Sequence, residues 1–176
     1  MAQVALSIDC PDWAAALPDL AELVAEAVQA ALAGAPVGPE AEVSVLLTGD
    51  AEQRALNRAW RGKDASTNVL SFPAFAPAEI AAGAAAAAHP PALLGDVTLA
   101  FGTMRGEAEA AGKPLADHLR HLLAHGVLHL IGYDHGTEAE AAAMESLETH
   151  VLARLGVPDP YREREAPAAP GGRVAR

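Results

Sequence analysis

The sequence predicts an α+β domain, a four-stranded mixed sheet packed with about five helices. Short β-branched runs alternate with apolar residues at helical spacing in the first part of the chain, and helical patterns alone fill the last part. Glycine and proline punctuate the boundaries and so fix the order of elements.

Taken in that order, Gln3–Ile8 is apolar and β-tolerant and reads as a strand. The alanine-rich, amphipathic stretch from Leu17 to Leu32 reads as a helix that stops at Gly34 and Pro36. EVSVLLT, Glu42–Thr48, is a second strand by its β-branched content. Asp50 and Gln53 have the spacing of a capping pair, which starts a helix running to about Trp60. NVLSFP from Asn68 and LLGDVTLAF from Leu93 complete the strands. The alanine- and proline-rich loop between them, with His89, is assigned no chemistry. A helix around Thr103–Ala111 ends at Gly112, and Pro114 opens the next, since proline suits a first helical turn. In the last helix Thr137 and Glu140 have capping-box spacing, and Met144, Leu147, Val151 and Leu155 mark one buried face.

A chain of 176 residues, 51% of them hydrophobic, is enough for one core. The expected organisation is a single domain over residues 1–162 followed by a disordered tail over residues 163–176. The one cysteine, Cys10, excludes an internal disulfide and a thiolate cluster, so any metal must be held by histidine, carboxylate or water. No basic segment precedes the first apolar run, and no run reaches the roughly 18 apolar residues of a membrane span. These features predict a soluble protein of a reducing cytoplasm, with no membrane partner. A formal net charge of −11 argues against nonspecific coating of nucleic acid. Arg54, Arg58, Arg61 and Lys63 still form a local basic cluster, read either as a guide for a phosphate backbone or as a solvated helix face. Aromatics, at 4%, are too few for extended base stacking.

The stretch HGVLHLIGYDH, His125 to His135, points to the chemistry. It matches the zinc-protease pattern H-E-x-x-H-x-x-G-x-x-H at every fixed position but one, because Gly126 stands where the glutamate base belongs. On the helix from Pro114 to Ile131, the leucines at 115, 119, 122, 123 and 130 share one side with Gly126. His118, His121, His125 and His129 fall on an adjoining arc roughly 80° wide. His125 and His129, at i and i+4, can direct their rings to one ion. Gly132 suits the left-handed helix-ending position that would bring His135 back to it. Three imidazoles with an open fourth position suit a catalytic zinc, whereas a structural zinc usually has four protein ligands. His121 reads either as a partner that orients a ligand or as a bystander on the same arc. His118 has the same two readings, Asp134 reads as orienting a histidine, accepting a proton or forming a cap or turn, and His89 and His150 look incidental. Glycine inside a helix costs about 1 kcal/mol relative to alanine, so something should pack close to Gly126.

HGVLHLIGYDH, together with WRGKDASTNVLSFP and LLGDVTLA upstream, resembles the YbeY-type endoribonucleases, bacterial metalloproteins of rRNA maturation. The resemblance runs from about Val43 to Tyr161. It implies one zinc ion (Zn2+) per chain and cleavage of single-stranded RNA in 16S rRNA 3′-end maturation and ribosome quality control. The implied partners are 16S rRNA of the small subunit or its precursor, small-subunit ribosomal proteins and assembly GTPases. It also implies that His125, His129 and His135 hold the zinc and that Arg61 is catalytic, although spacing alone reads Arg61 as a solvated charge. The chain departs from the commonest pattern at Asn68, where the family often has aspartate, and in a longer, more alanine-rich linker before Leu93.

Phosphodiester cleavage needs a nucleophile, charge stabilisation and a proton route. Zinc and Arg61 are expected to supply the first two, Arg54, Arg58 and Lys63 to guide the strand, and no residue identifies itself as the base. Two rival readings are a noncatalytic, zinc-stabilised ribosome assembly factor and a metallopeptidase, the latter disfavoured by Gly126.

Overall fold

The computed structural model describes residues 1–88 and 92–162, so His89 and the expected tail over residues 163–176 lie outside the described residues. Strands β1 (Gln3–Ile8), β2 (Glu42–Thr48), β3 (Val69–Pro73) and β4 (Leu93–Ala100) form one sheet in the order β1-β2-β4-β3. β1 and β4 each run parallel to β2, and β3 runs antiparallel to β4, which makes the sheet mixed as the sequence predicts. Parallel neighbours cannot be joined by a tight turn. Helix α1 (Asp12–Ala16) and helix α2 (Leu20–Leu32) therefore fill the crossover from β1 to β2. β3 sits at the edge, where the missing N–H of Pro73 is tolerated.

Alternation along the strands sends Val43, Val45 and Leu47 of β2 and Val97 and Leu99 of β4 to one face, where all five are fully buried. That face is covered by α2 and by α7 (Leu115–Leu130), which packs on β3 and β4 and is flanked by α8 (Glu138–Arg154). Leu119, Leu123, Val127 and Leu130 of α7 are fully buried, each worth about 1.5–3 kcal/mol by burial of its apolar surface. Helix α3 (Asp50–Arg61) lies on the opposite face, where the buried Gln53 donates to the Thr98 carbonyl at 3.0 Å and accepts from its hydroxyl at 2.8 Å.

The described residues contain eight helices, where about five are expected from pattern. The three additional ones are short: α1, α4 (Pro77–Ala81) and α5 (Ala84–Ala87). α1 lies ahead of the stretch read as a helix from Leu17, and α2 starts later than that reading. Leu17 precedes Pro18 and is driven to an extended conformation (φ −131°, ψ 93°), so α2 begins only at Leu20. In the stretch read as a loop, Pro77 opens α4 and the Glu79 carboxylate accepts from the Ala76 N–H at 2.7 Å. Asp50 and Gln53 also depart from expectation, because Gly49 is the N-cap of α3. The Asp50 carboxylate instead accepts from the Thr103 N–H and hydroxyl at 2.9 and 3.0 Å, tying α3 to α6 (Phe101–Ala110). Thr137 and Glu140 do form the reciprocal pair that starts α8, at 3.2 and 3.0 Å.

Gly126 marks a close approach of α7 to the sheet. A Cβ there would lie 2.7 Å from Val97 Cγ1 and 3.2 Å from both Ser71 Oγ and Val69 Cγ2. The Ser71 hydroxyl donates to the Gly126 carbonyl at 2.9 Å. Buried, β-branched Val97 has no free rotamer to retreat into. Gly126→Ala should therefore lower stability by about 1 kcal/mol, since overpacking of about 1–3 kcal/mol outweighs a helix-propensity gain of about 1 kcal/mol. Urea unfolding measures it, and an unchanged or higher midpoint would remove the packing account.

Candidate metal centre

Because α7 buries its leucine side, His121, His125 and His129 run along its edge beside α8. At the end of the helix Gly132 takes φ 101°, and the Tyr133 N–H bonds back to the Leu128 carbonyl at 3.1 Å. This reversal returns His135 to the helix, as the glycine position predicts, and one ring nitrogen from each of His125, His129 and His135 falls within 4.8 Å of the others. His125 and His129 are half-buried and His135 is exposed.

The hydrogen bonds fix which nitrogen His125 and His129 present. A carbonyl only accepts, so His129 Nδ1 must carry the proton it donates to the Tyr133 oxygen at 2.9 Å. His125 Nδ1 meets Glu148 Oε1 at 2.5 Å and likewise carries the proton. With both rings neutral, as a metal requires, their Nε2 atoms are lone-pair acceptors, and they face each other at 3.1 Å. Two facing acceptors repel unless a cation lies between them. Tetrahedral zinc at about 2.0–2.1 Å from two imidazoles would set their nitrogens about 3.3–3.4 Å apart, so the donor set fits a metal. Burial, and then the neighbouring His125 and His135, push the His129 pKa below its ordinary value, which favours the neutral ring a metal needs.

Glu148, on α8, is the residue that the sequence pattern leaves unnoticed. Its side chain is 1% exposed and shared between His125 and His121, whose Nε2 meets Oε2 at 3.0 Å, while the Tyr161 hydroxyl also donates to Oε2. Burial alone raises its pKa, but the hydrogen bonds from His121, His125 and Tyr161 outweigh that and hold it at about 2. The carboxylate is therefore ionised and keeps the proton of His125 on Nδ1. A signal existed in the sequence, since Glu148 follows Met144 by four residues and precedes Val151 by three, placing a carboxylate on the apolar stripe.

Arg61, Ser71, His129, Tyr133, Asp134 and His135 line a cleft of about 280 Å³. Arg61 alone of the basic cluster reaches it. The Arg54 guanidinium is engaged by Asp64 at 2.8 and 3.0 Å, Arg54 and Arg58 line a separate groove, and Lys63 is exposed beyond Gly62. Asp134 Oδ1 accepts from the His135 N–H at 2.8 Å, a turn contact. His118 pairs with Glu107 at 2.8 Å, away from the ligands, and Asn68 Nδ2 donates to that same carboxylate at 3.0 Å. An aspartate at 68 would set two carboxylates in contact. His150 lines a larger cleft of about 420 Å³, which meets the metal cleft at Pro77, Gly132 and Tyr133.

A family model described as Endoribonuclease YbeY matches residues 8–156. The chain belongs to the YbeY endoribonuclease family. The Endoribonuclease YbeY of a Bradyrhizobium species is 49% identical over 165 residues, 93% of each chain. That of Paramagnetospirillum magneticum is 49% identical over 166 residues, covering 92% of this chain and 97% of its own. A solution structure of TM1509 from Thermotoga maritima superposes with a TM-score of 0.50 at 20% identity, over 98% of this chain and 100% of that one, a likeness of fold alone. The histidine motif, the RGKD block and the LLGDVTLA strand that carry the YbeY resemblance all lie inside the matched span.

Glu148→Gln should weaken metal binding about 10- to 100-fold, as loss of a group that orients a histidine ligand does. Competition against a chromophoric chelator reads this directly, and unaltered affinity would separate Glu148 from the metal.

Proposed function

We propose that this member of the YbeY family is a zinc-dependent endoribonuclease that hydrolyses phosphodiester bonds of single-stranded RNA. Its proposed substrate is 16S rRNA in the small subunit or its precursor, during 3′-end maturation and ribosome quality control. Small-subunit ribosomal proteins and assembly GTPases are its partners in that reading, the cytoplasm is its location, and one domain over residues 1–162 holds the whole site. Family membership supports the ribonuclease activity. The observation that carries the chemistry is the pair of facing Nε2 atoms of His125 and His129, with Arg61 across the same cleft. Among the described residues no helix is long and apolar enough to cross a membrane.

His125, His129 and His135 would hold the ion. Bound there, zinc supplies Lewis acidity that brings water's pKa toward neutrality and polarises a phosphoryl oxygen. Arg61 presents a permanently charged, planar fork that matches two oxygens of a phosphate, and so positions the scissile group in the cleft and offsets its charge. Glu148 holds the His125 ring in the tautomer that leaves Nε2 free. Asp134 is the carboxylate that lines the cleft, and a proton acceptor role for it is compatible with its turn contact through Oδ1.

The metallopeptidase reading loses its base for a structural reason. A Cβ at position 126 would lie 2.7 Å from Val97 Cγ1, which leaves no room for a carboxylate. The assembly-factor reading differs in what zinc does, and α7 is anchored by its own buried leucines, so metal removal should lower the melting temperature only modestly while ending catalysis.

The test is cleavage of an unpaired RNA with metal content measured in each preparation. Wild type should cut and stop on chelation, His129→Ala should lose metal and cutting together, and Arg61→Ala should keep metal but cut about 10²- to 10³-fold more slowly. Casein should remain intact. Wild type that holds zinc yet cuts neither RNA nor small-subunit precursor particles would hand the conclusion to the assembly factor.

A further inference from the structure

We propose that Trp60 is a stacking platform for one unpaired nucleobase of the strand whose phosphate lies at Arg61, an inference that rests on the endoribonuclease reading above. Trp60 closes the last turn of α3 with 71% of its surface exposed, whereas the chain's other tryptophan, Trp13, is fully buried. Isolated exposed apolar residues are ordinary, so exposure alone decides nothing. Three further observations give it meaning.

The first is restraint. The indole meets the Phe72 ring of edge strand β3 at 6.0 Å and 65°, an edge-to-face contact that orients it without covering it. The second is position. Trp60 precedes Arg61, and Phe72 stands between Ser71 and Pro73, and all three of those neighbours line the metal cleft. Consecutive Cα atoms are about 3.8 Å apart, so Trp60 and Phe72 each sit one residue from the cleft, around the edge strand on the sheet face opposite Ser71 and Pro73. The third is charge. Arg58, Arg61 and Lys63 surround Trp60 in sequence and make no ion pair among the described residues, whereas Arg54, farther back on α3, is held by Asp64.

An oriented aromatic face among uncommitted cations is how single-strand binders hold a base and its flanking phosphates. The net charge of −11 makes this end of α3 the more distinct as a place for an anion. Every base has a π-face, so the platform confers grip without sequence preference. One such position is compatible with an aromatic content of 4%, which rules out only an extended array.

Buried Trp13, whose indole donates to the Thr48 carbonyl at 2.9 Å, supplies a constant fluorescence background, so emission changes report Trp60. The zinc-loaded full chain is titrated with an unpaired 2′-O-methyl oligoribonucleotide, following tryptophan emission and, separately, the anisotropy of a labelled strand. Emission should be quenched on binding. Trp60→Ala should bind about tenfold more weakly with an unchanged melting temperature, Trp60→Phe should stay within about threefold of wild type, and cleavage by Trp60→Ala should show a raised KM with kcat nearly intact. Wild-type affinity in Trp60→Ala, or RNA binding without quenching, overturns the platform while leaving the ribonuclease reading in place. No RNA binding by wild type removes both. Full affinity of Trp60→Ala for free RNA combined with lost action on small-subunit particles would make Trp60 a protein contact and likewise overturn the proposal.

Discussion

The crossing of α7 over β3 and β4 at Gly126 is the constraint on which the rest depends. Without a side chain at that position the helix settles onto Val97 and Val69, close enough for Ser71 to bond its backbone. A helix held at that depth has a fixed rotation, and rotation decides where the neighbouring imidazoles point. The same contact fills the place where a peptidase would carry its glutamate. Fold and chemistry are thus decided by one close approach.

The second layer of organisation is electrostatic. A buried carboxylate is costly unless it is fully bonded, and Glu148 is satisfied by His121, His125 and Tyr161. It joins α7, α8 and the segment after α8 around one negative charge beside the three histidines that could hold a metal ion. The tautomer of His125 follows from that charge, as the tautomer of His129 follows from the Tyr133 carbonyl. Neither ring depends on the other for its orientation.

The parts of this arrangement legible in the sequence were those with a short local period. Strand Glu42–Thr48, the Thr137–Glu140 cap, the histidine pair at i and i+4 and the turn at Gly132 all depend on residues within a few positions of each other. Contacts across long separations were not legible. Asp50 and Gln53 look like a local pair, but their partners Thr103 and Thr98 lie more than forty residues away. Glu148 was hidden for a related reason: an apolar stripe is read by its leucines and valines, and a carboxylate within it is taken for surface until its histidine partners are brought beside it. Arg61 was distinguished from Arg54, Arg58 and Lys63 only by resemblance, and the structure separates them because the end of α3 turns one of the four toward the histidines.

His135 differs from the other two candidate ligands in where it is mounted. Two donors sit on a helix locked into the core, and the third rides on an exposed turn hinged at Gly132. A centre mounted this way would assemble in sequence: an arriving ion would first meet a rigid two-point socket and then be closed in by the turn, like a latch. Release would run the other way, through the turn at Gly132 before the helix.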